Sequence, residues 1–296
     1  MGLYRMDFVA IDVETANADA ASICQIGIVA FENGSVKESW QSLVNPEDYF
    51  DGINISIHGI DQNAVKQAPT FPRIYESVRK WLAGSVVASH TPFDRVAVAR
   101  VVEKYGLEQV TCAWLDTARV ARRAWPQFSQ RGYGLANVAR QLGISFVAHN
   151  AEEDARAAGE LLVHAMKETG MAISEWQDRV REPINRSRTG KATNMVMKGD
   201  PEGDLYGEIV VFTGALTIPR TLAAQMAADA GCKVADSVGE GTTLLVVGDQ
   251  DIRRLAGHEK SSKHRKAEGL IARGQTIRIV GESDFTRIVG LQNSPQ

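Results

Sequence analysis

The sequence predicts an α/β protein of two domains, an amino-terminal mixed sheet with flanking helices and a smaller carboxy-terminal α/β unit. Three observations support this. The chain has 296 residues, 44% of them apolar, enough for two cores rather than one. Its first part opens with three strand-like runs and continues with helical patterns alternating with short apolar runs, the order of a mixed sheet covered by helices. A polar, proline- and glycine-bearing stretch then separates it from a second α/β alternation.

Strands are expected over residues 8–14, 23–31 and 36–44, the last two joined through Glu32-Asn33-Gly34-Ser35. Asn-Gly between apolar runs is a strong hairpin signal. After a loop come a helix over 71–82, a strand over 86–89, a helix over 92–105 and a strand over 110–115. Helices are then expected over 117–124, 133–142 and 151–168, with Gly106 and Gly143 where carboxy-terminal caps belong. Periodicity fades over 169–204, where Pro183, Gly190, Gly199, Pro201 and Gly203 interrupt a basic, polar run. The expected division is therefore a first domain over 1–168, a flexible linker over 169–204 and a second domain over 205–296. In the second domain, strands over 208–213, 233–235, 244–247 and 276–280 alternate with helices over 221–230 and 262–272, and a last helix starts at residue 283.

The longest apolar runs fall short of the ~18 residues of a membrane span. Cys24, Cys112 and Cys232 are scattered, with no metal-ligand spacing, and the first residues lack the pattern of a secretory signal. A reduced, cytoplasmic protein without membrane association is expected. Net charge is −3, and residues 1–166 hold 15 basic and 19 acidic side chains against 18 and 17 in the remainder. Neither half is a polycation, so nucleic acid must be met by local patches. One patch comprises Arg179, Arg181, Arg186, Arg188, Lys191 and Lys198. The other comprises Arg253, Arg254, Lys260, Lys263, Arg265 and Lys266.

Asp12 and Glu14 lie two apart on a strand that is otherwise apolar, and so project from one side of it. Neighbouring, partly buried carboxylates repel and lose hydration unless a cation compensates them; the alternative is a strand end where both reach solvent. Asp94 admits two readings as well. It lies in Thr91-Pro92-Phe93-Asp94, where Thr91 can cap a helix and Asp94 can close a capping box. Likewise Asn150 can cap the next helix while Glu153 returns the bond, leaving Asp154 in the first turn and His149 in the loop before it. Trp81, Trp114 and Trp125 lie on apolar faces or at element ends, as core residues do.

Taken together, these motifs carry a resemblance. Asp12-Val13-Glu14-Thr15, Gln25-Ile26-Gly27, Ile57-His58-Gly59-Ile60, Ala68-Pro69-Thr70-Phe71, His90 to Asp94, Tyr133-Gly134-Leu135 and His149 to Asp154 occur in order over residues 7–166. This region resembles the DEDDh exonucleases of the ribonuclease H-like superfamily, which include the proofreading epsilon subunit of bacterial DNA polymerase III. Thr91 stands where the family commonly has asparagine, and Ala16-Asn17 where it has Thr-Gly.

The resemblance implies a ribonuclease H-like mixed five-stranded sheet. It also implies catalysis by Asp12, Glu14, Asp94, Asp154 and His149. The four acids would hold two divalent cations, Mg²⁺ or Mn²⁺, since hard carboxylates suit hard cations. One ion would generate and orient hydroxide, both would stabilise charge on the phosphate, and His149 would be the general base. Thr15, His58 and Gly59 would contact the terminal nucleotide; His-Gly in an ordinary surface turn is the alternative. The implied activity is 3′-to-5′ exonucleolytic release of 5′-mononucleotides from DNA ends, in repair, proofreading or replication. An exoribonuclease and a non-catalytic DNA or protein adaptor are the alternatives.

Val211-Phe212-Thr213-Gly214, Ala230-Gly231-Cys232 and the helix start at Lys263 to Lys266 resemble BRCT domains over about residues 206–290, with Phe285 where many members have tryptophan. Such domains have a parallel sheet, and the resemblance places Thr213, Gly214 and Lys266 in a phosphate pocket. The ligand would be a 5′-phosphorylated DNA end or a phosphoprotein, and replication or repair proteins would be partners. A purely structural or dimerising module is the alternative.

Overall fold

The computed structural model describes residues 8–130, 132–182, 184, 199–249 and 261–290. The chain divides into two compact units. The first takes residues 1–14, 23–46 and 64–184, and the second takes 15–22, 47–63 and 185–296.

The first unit is built on strands β1 (Phe8–Thr15), β2 (Ile23–Glu32), β3 (Ser35–Leu43), β4 (Val86–Ser89) and β5 (Ala113–Asp116), in the order β3-β2-β1-β4-β5. β2 and β3 run antiparallel, whereas β4 runs parallel to both β1 and β5, so the sheet is mixed. β1 is central and buried along almost its whole length, so its apolar residues run continuously rather than alternating. The hairpin turn at Asn33 and Gly34 puts both residues at positive φ, as its sequence anticipated.

Helices α2 (Phe71–Leu82), α3 (Phe93–Lys104), α4 (Thr117–Ala124), α5 (Leu135–Leu142), α6 (Ala151–Thr169) and α7 (Ile173–Arg179) complete this unit. On α2, Phe71, Ile74, Tyr75, Val78 and Leu82 are buried at the spacing of a single helical face. α6 packs its small residues onto β2. A Cβ on Gly159 would stand 2.1 Å from the ring of Phe31, which itself stacks on Phe8 at 4.9 Å between centroids. α7 lies inside the stretch read as linker. Its Trp176 is only 1% exposed and joins Trp125, Leu161, Leu162 and Val180 in the unit's core.

In the second unit, α1 (Gly52–His58) forms where the sequence predicts a loop. Asp51 caps it by accepting from Ile53 N–H, and Gly59 ends it at φ 75°. The unit's sheet contains β6 (Ile209–Thr213), β7 (Lys233–Val234), β8 (Leu244–Val247) and β9 (Arg278–Gly281), in the order β7-β6-β8-β9, with every pairing parallel. It is accompanied by α8 (Arg220–Asp229), α9 (Ser262–Ile271) and α10 (Glu282–Gly290). Phe285 is fully buried and meets Phe212 edge to face, so an aromatic fills the position as expected. Among the described residues, no helix is long and apolar enough to cross a membrane.

Candidate active site

The end of β1 carries Asp12 and Glu14, and the first turn of α6 carries Asp154. Ligand oxygens of these three residues lie within 4.8 Å of one another. Hard divalent cations bind oxygen at ~2.0–2.6 Å, so atoms this close can share one ion. The donor set is oxygen only, and Asp12 is buried, which makes an uncompensated cluster costly. The residues therefore fit a hard cation.

Asp94 reaches the same strand by another route. Its helix, α3, has Pro92 at the N-cap and no side-chain cap bond, so the capping-box reading is set aside. Asp94 is instead fully buried, and its Oδ1 accepts from the N–H of Val13 at 3.1 Å, between the two β1 acids. Thr91 stands at φ 82° and His149 at φ 64°, a region that non-glycine residues enter rarely and that clusters at functional sites.

α6 starts as its sequence suggested, with one exchange of roles. Asn150 caps it by accepting from Glu153 N–H at 3.2 Å, but the bond back to Asn150 N–H is accepted by Asp154 Oδ2 at 3.0 Å, not by Glu153. Glu153 pairs with Arg156, whose hydrogen bond holds its carboxyl below the usual range. Gln25, to which the sequence assigned no separate role, accepts from Ala151 N–H at 3.1 Å and pins the start of the helix to β2. A buried amide in the apolar run of β2 was its signal. A Cβ on Gly27 would stand 2.3 Å from Ala151 C and Glu152 N, so glycine is what permits this close approach.

His149 Nδ1 lies 3.9 Å from Glu14 Oε1, and its side chain keeps partial exposure. His90 differs: it is buried, with Nδ1 2.9 Å from Thr117 Oγ1 and Nε2 2.8 Å from Tyr133 O. Its two nitrogens serve the structure.

Within the second unit, Thr15, His58 and the missed Asn54 meet. Ile60 N–H donates to His58 Nδ1 at 3.0 Å, which leaves the proton on Nε2 to donate to Thr15 O at 3.1 Å. Asn54 Nδ2 donates to the same carbonyl at 2.8 Å. Gly59 follows as the left-handed cap of α1.

In the same unit, Thr213 Oγ1 lies 2.8 Å from Ser261 Oγ, and Gly214 has φ 77°. Lys266 is exposed on α9. Lys263, one turn earlier, turns inward: its Nζ donates to Phe212 O at 2.9 Å, and Arg220 Nη1 donates to that carbonyl at 2.8 Å. Burial and the neighbouring Arg220 charge pull the Lys263 ammonium below the ordinary lysine value. Of the two basic patches read from the sequence, Arg186, Arg188, Lys191, Lys198, Arg253, Arg254 and Lys260 lie outside the described residues.

The mixed sheet with flanking helices, the oxygen-ligand cluster on its central strand and the histidine beside it define an α/β protein of ribonuclease H-like fold whose clustered carboxylates fit a hard cation. Comparison with known proteins identifies the family: residues 9–162 match the sequence model described as exonuclease, and the chain belongs to that family. Residues 200–285 match the BRCA1 C Terminus (BRCT) domain.

Similar curated proteins include a PolC-type DNA polymerase III of Bacillus cereus, 23% identical over 73% of this chain and 16% of that protein. The 3′-5′ exonuclease DinG of Bacillus subtilis is 28% identical over 55% of this chain and 18% of that protein. The chain thus spans less than a fifth of the length of either relative. Similar solved structures include exonuclease X with 5′ overhanging duplex DNA, at 21% identity, covering 58% of this chain and 99% of that one with a TM-score of 0.48. The nuclease domain of 3′hExo, a DEDDh family member bound to rAMP, is 19% identical, covering 56% of this chain and 94% of that one with a TM-score of 0.49.

Proposed function

We propose that the protein is a two-metal-dependent 3′-to-5′ exonuclease that hydrolyses the terminal phosphodiester of DNA and releases 5′-mononucleotides, in repair, proofreading or replication. The observation that carries this reading is the cluster of Asp12, Glu14 and Asp154 oxygens within 4.8 Å. Asp12, Glu14, Asp94 and Asp154 would hold Mg²⁺ or Mn²⁺, which when bound supplies activation of water and compensation of charge on the phosphate. The protein's own groups do the rest. His149, partly exposed beside Glu14, takes the proton of the attacking water on a ring nitrogen. Thr15, its carbonyl held by Asn54 and His58, presents a fixed main chain to the terminal nucleotide, with Gly59 at the turn beside it.

The test is digestion of matched DNA and RNA strands labelled at the 5′ end, with Mg²⁺, Mn²⁺ or chelator. DNA ladders shortening from the 3′ end only with metal, and abolished in Asp154→Ala, support the proposal. Faster loss of RNA would favour the exoribonuclease reading, and turnover that survives chelation would overturn the site. Retention of labelled ends without any shortening would point to an adaptor.

For the carboxy-terminal unit, the convergence of Arg220 and Lys263 on Phe212 O favours an anion site beside Thr213 and Gly214. The two cations repel each other, a repulsion that Asp236 only partly offsets at Lys263 and that a bound phosphate would relieve further. A 5′-phosphorylated DNA end or a phosphoprotein is the proposed ligand, with Lys266 on the exposed rim and replication or repair proteins as partners. Binding of phosphorylated and unphosphorylated duplex ends by the full chain, and its loss in Lys263→Ala, tests this.

A further inference from the structure

The loop between Gly143, the cap of α5, and Asn150, the cap of α6, carries His149. Its main chain enters the left-handed region at His149, φ 64°, a conformation that persists only where the surroundings over-determine it. At its far end the loop is fixed through Asn150, whose N–H reaches Asp154 and whose side chain takes Glu153 N–H. At its near end, Arg156 Nη2 donates to Ser145 O at 2.7 Å.

That guanidinium is itself held on two sides. Glu153 meets it with both carboxylate oxygens, from Nε at 3.3 Å and from Nη2 at 2.8 Å, and Glu160 accepts from Nη1 at 2.6 Å. Partly exposed ion pairs add little to stability. A planar fork locked by two carboxylates nevertheless gives its remaining donor a fixed direction.

We propose that Arg156 is a positioning residue for His149. By tying Ser145 to the α6 surface it sets the path of residues 145–149 and so the place of the imidazole beside Glu14. Arg156 touches neither substrate nor the oxygen cluster; it acts through the loop. The inference rests on His149 being the general base.

A double-mutant cycle on the full chain tests it, with turnover on a single-stranded DNA, KM, Mn²⁺ affinity and thermal unfolding measured for each variant. Arg156→Ala should lower kcat by ~10-fold or more, as displaced catalytic groups do, with KM and Mn²⁺ affinity unchanged. Arg156→Lys should recover part of the loss. In a His149→Ala background the same substitution should change kcat by no more than about twofold, because coupled sites are not additive. Glu160→Gln, which loosens the guanidinium without vacating its place, should repeat the pattern at smaller amplitude and guards against a misfolded alanine variant. An equal fold-loss with and without His149, or wild-type kcat in Arg156→Ala, would overturn the clamp alone. Wild-type turnover in His149→Ala would instead remove the base, and the clamp with it.

Discussion

Gly27→Ala should disable the site without altering any residue in it. The new Cβ would lie 2.3 Å from Ala151 C and Glu152 N, both main-chain atoms, and ordinary contact begins only at 3.4 Å. The start of α6 must therefore retreat from β2 by about 1 Å, stretching the Gln25 bond to Ala151 N–H and carrying Asp154 and His149 with it. Overpacking of this kind costs about 1–3 kcal/mol, and a displacement near 1 Å at reacting groups costs ~10²-fold in rate. Urea unfolding and steady-state kinetics measure the two effects separately. Gly159→Ala is the comparison: its Cβ meets the Phe31 ring rather than main chain, two turns farther along α6. It should lose comparable stability but far less kcat. Wild-type kcat in Gly27→Ala, or equal kinetic damage in both variants, would refute the argument that this glycine places the start of α6.

Asp12→Ala should abolish hydrolysis while leaving stability without metal equal or higher, because the carboxylate cluster loses a repelling member; Mg²⁺ should then raise the melting temperature less than in the wild type. Thr91→Asn should be stabilising, since a β-branched residue at φ 82° costs about 1–2 kcal/mol and asparagine tolerates that region; calorimetry should show a rise of roughly 2–8 °C. A fragment ending at residue 184 should be more stable than one ending at 168, because the shorter one lacks the buried Trp176, a loss on the scale of ~3–5 kcal/mol. Affinity for a phosphorylated end should fall as pH rises through the Lys263 pKa. That pKa lies below the ordinary lysine value, so the protonated form that binds an anion is lost earlier than at an unperturbed lysine; binding isotherms across the alkaline range measure it.

The elements that organise the first unit were legible because their signals are local. The Asn33-Gly34 turn, the apolar face of α2 and the Asn150 cap of α6 each depend on residues close in sequence. Two helices were not. α1 is short and carries Ile53, Ile55 and Ile57, poor helix formers that its caps at Asp51 and Gly59 make up for. α7 is short and polar, with Glu175, Gln177, Asp178 and Arg179, and its place in the core rests on Trp176, Val180 and Ile173, too few apolar residues to show a helical period.

At the candidate site, the ordered motifs singled out Asp12, Glu14 and Asp154, whose oxygens the structure brings together, and His149 beside Glu14, but side-chain direction was not readable from spacing. Asp94 and Glu153 both occupied positions suited to capping boxes, yet Asp94 turns to Val13 and Glu153 to Arg156. Gln25, Asn54 and Arg220 act on main-chain atoms distant in sequence or brought close only by a turn, which no local pattern encodes. Lys263 and Lys266 lie on one helix one turn apart, and only packing decides which of them faces the strand end.

The bond that ties Asp94 to the central strand ends on the main-chain N–H of Val13, not on a side chain. Position 13 therefore separates two kinds of mutational tolerance. Any apolar residue that fits the core keeps the donor, so exchanges among valine, isoleucine and leucine should leave the carboxylates where they are. Proline alone among the amino acids lacks that donor. No valine codon becomes a proline codon by a single nucleotide change, so the tether is sheltered from one-step mutation in a way that the carboxylates it organises are not.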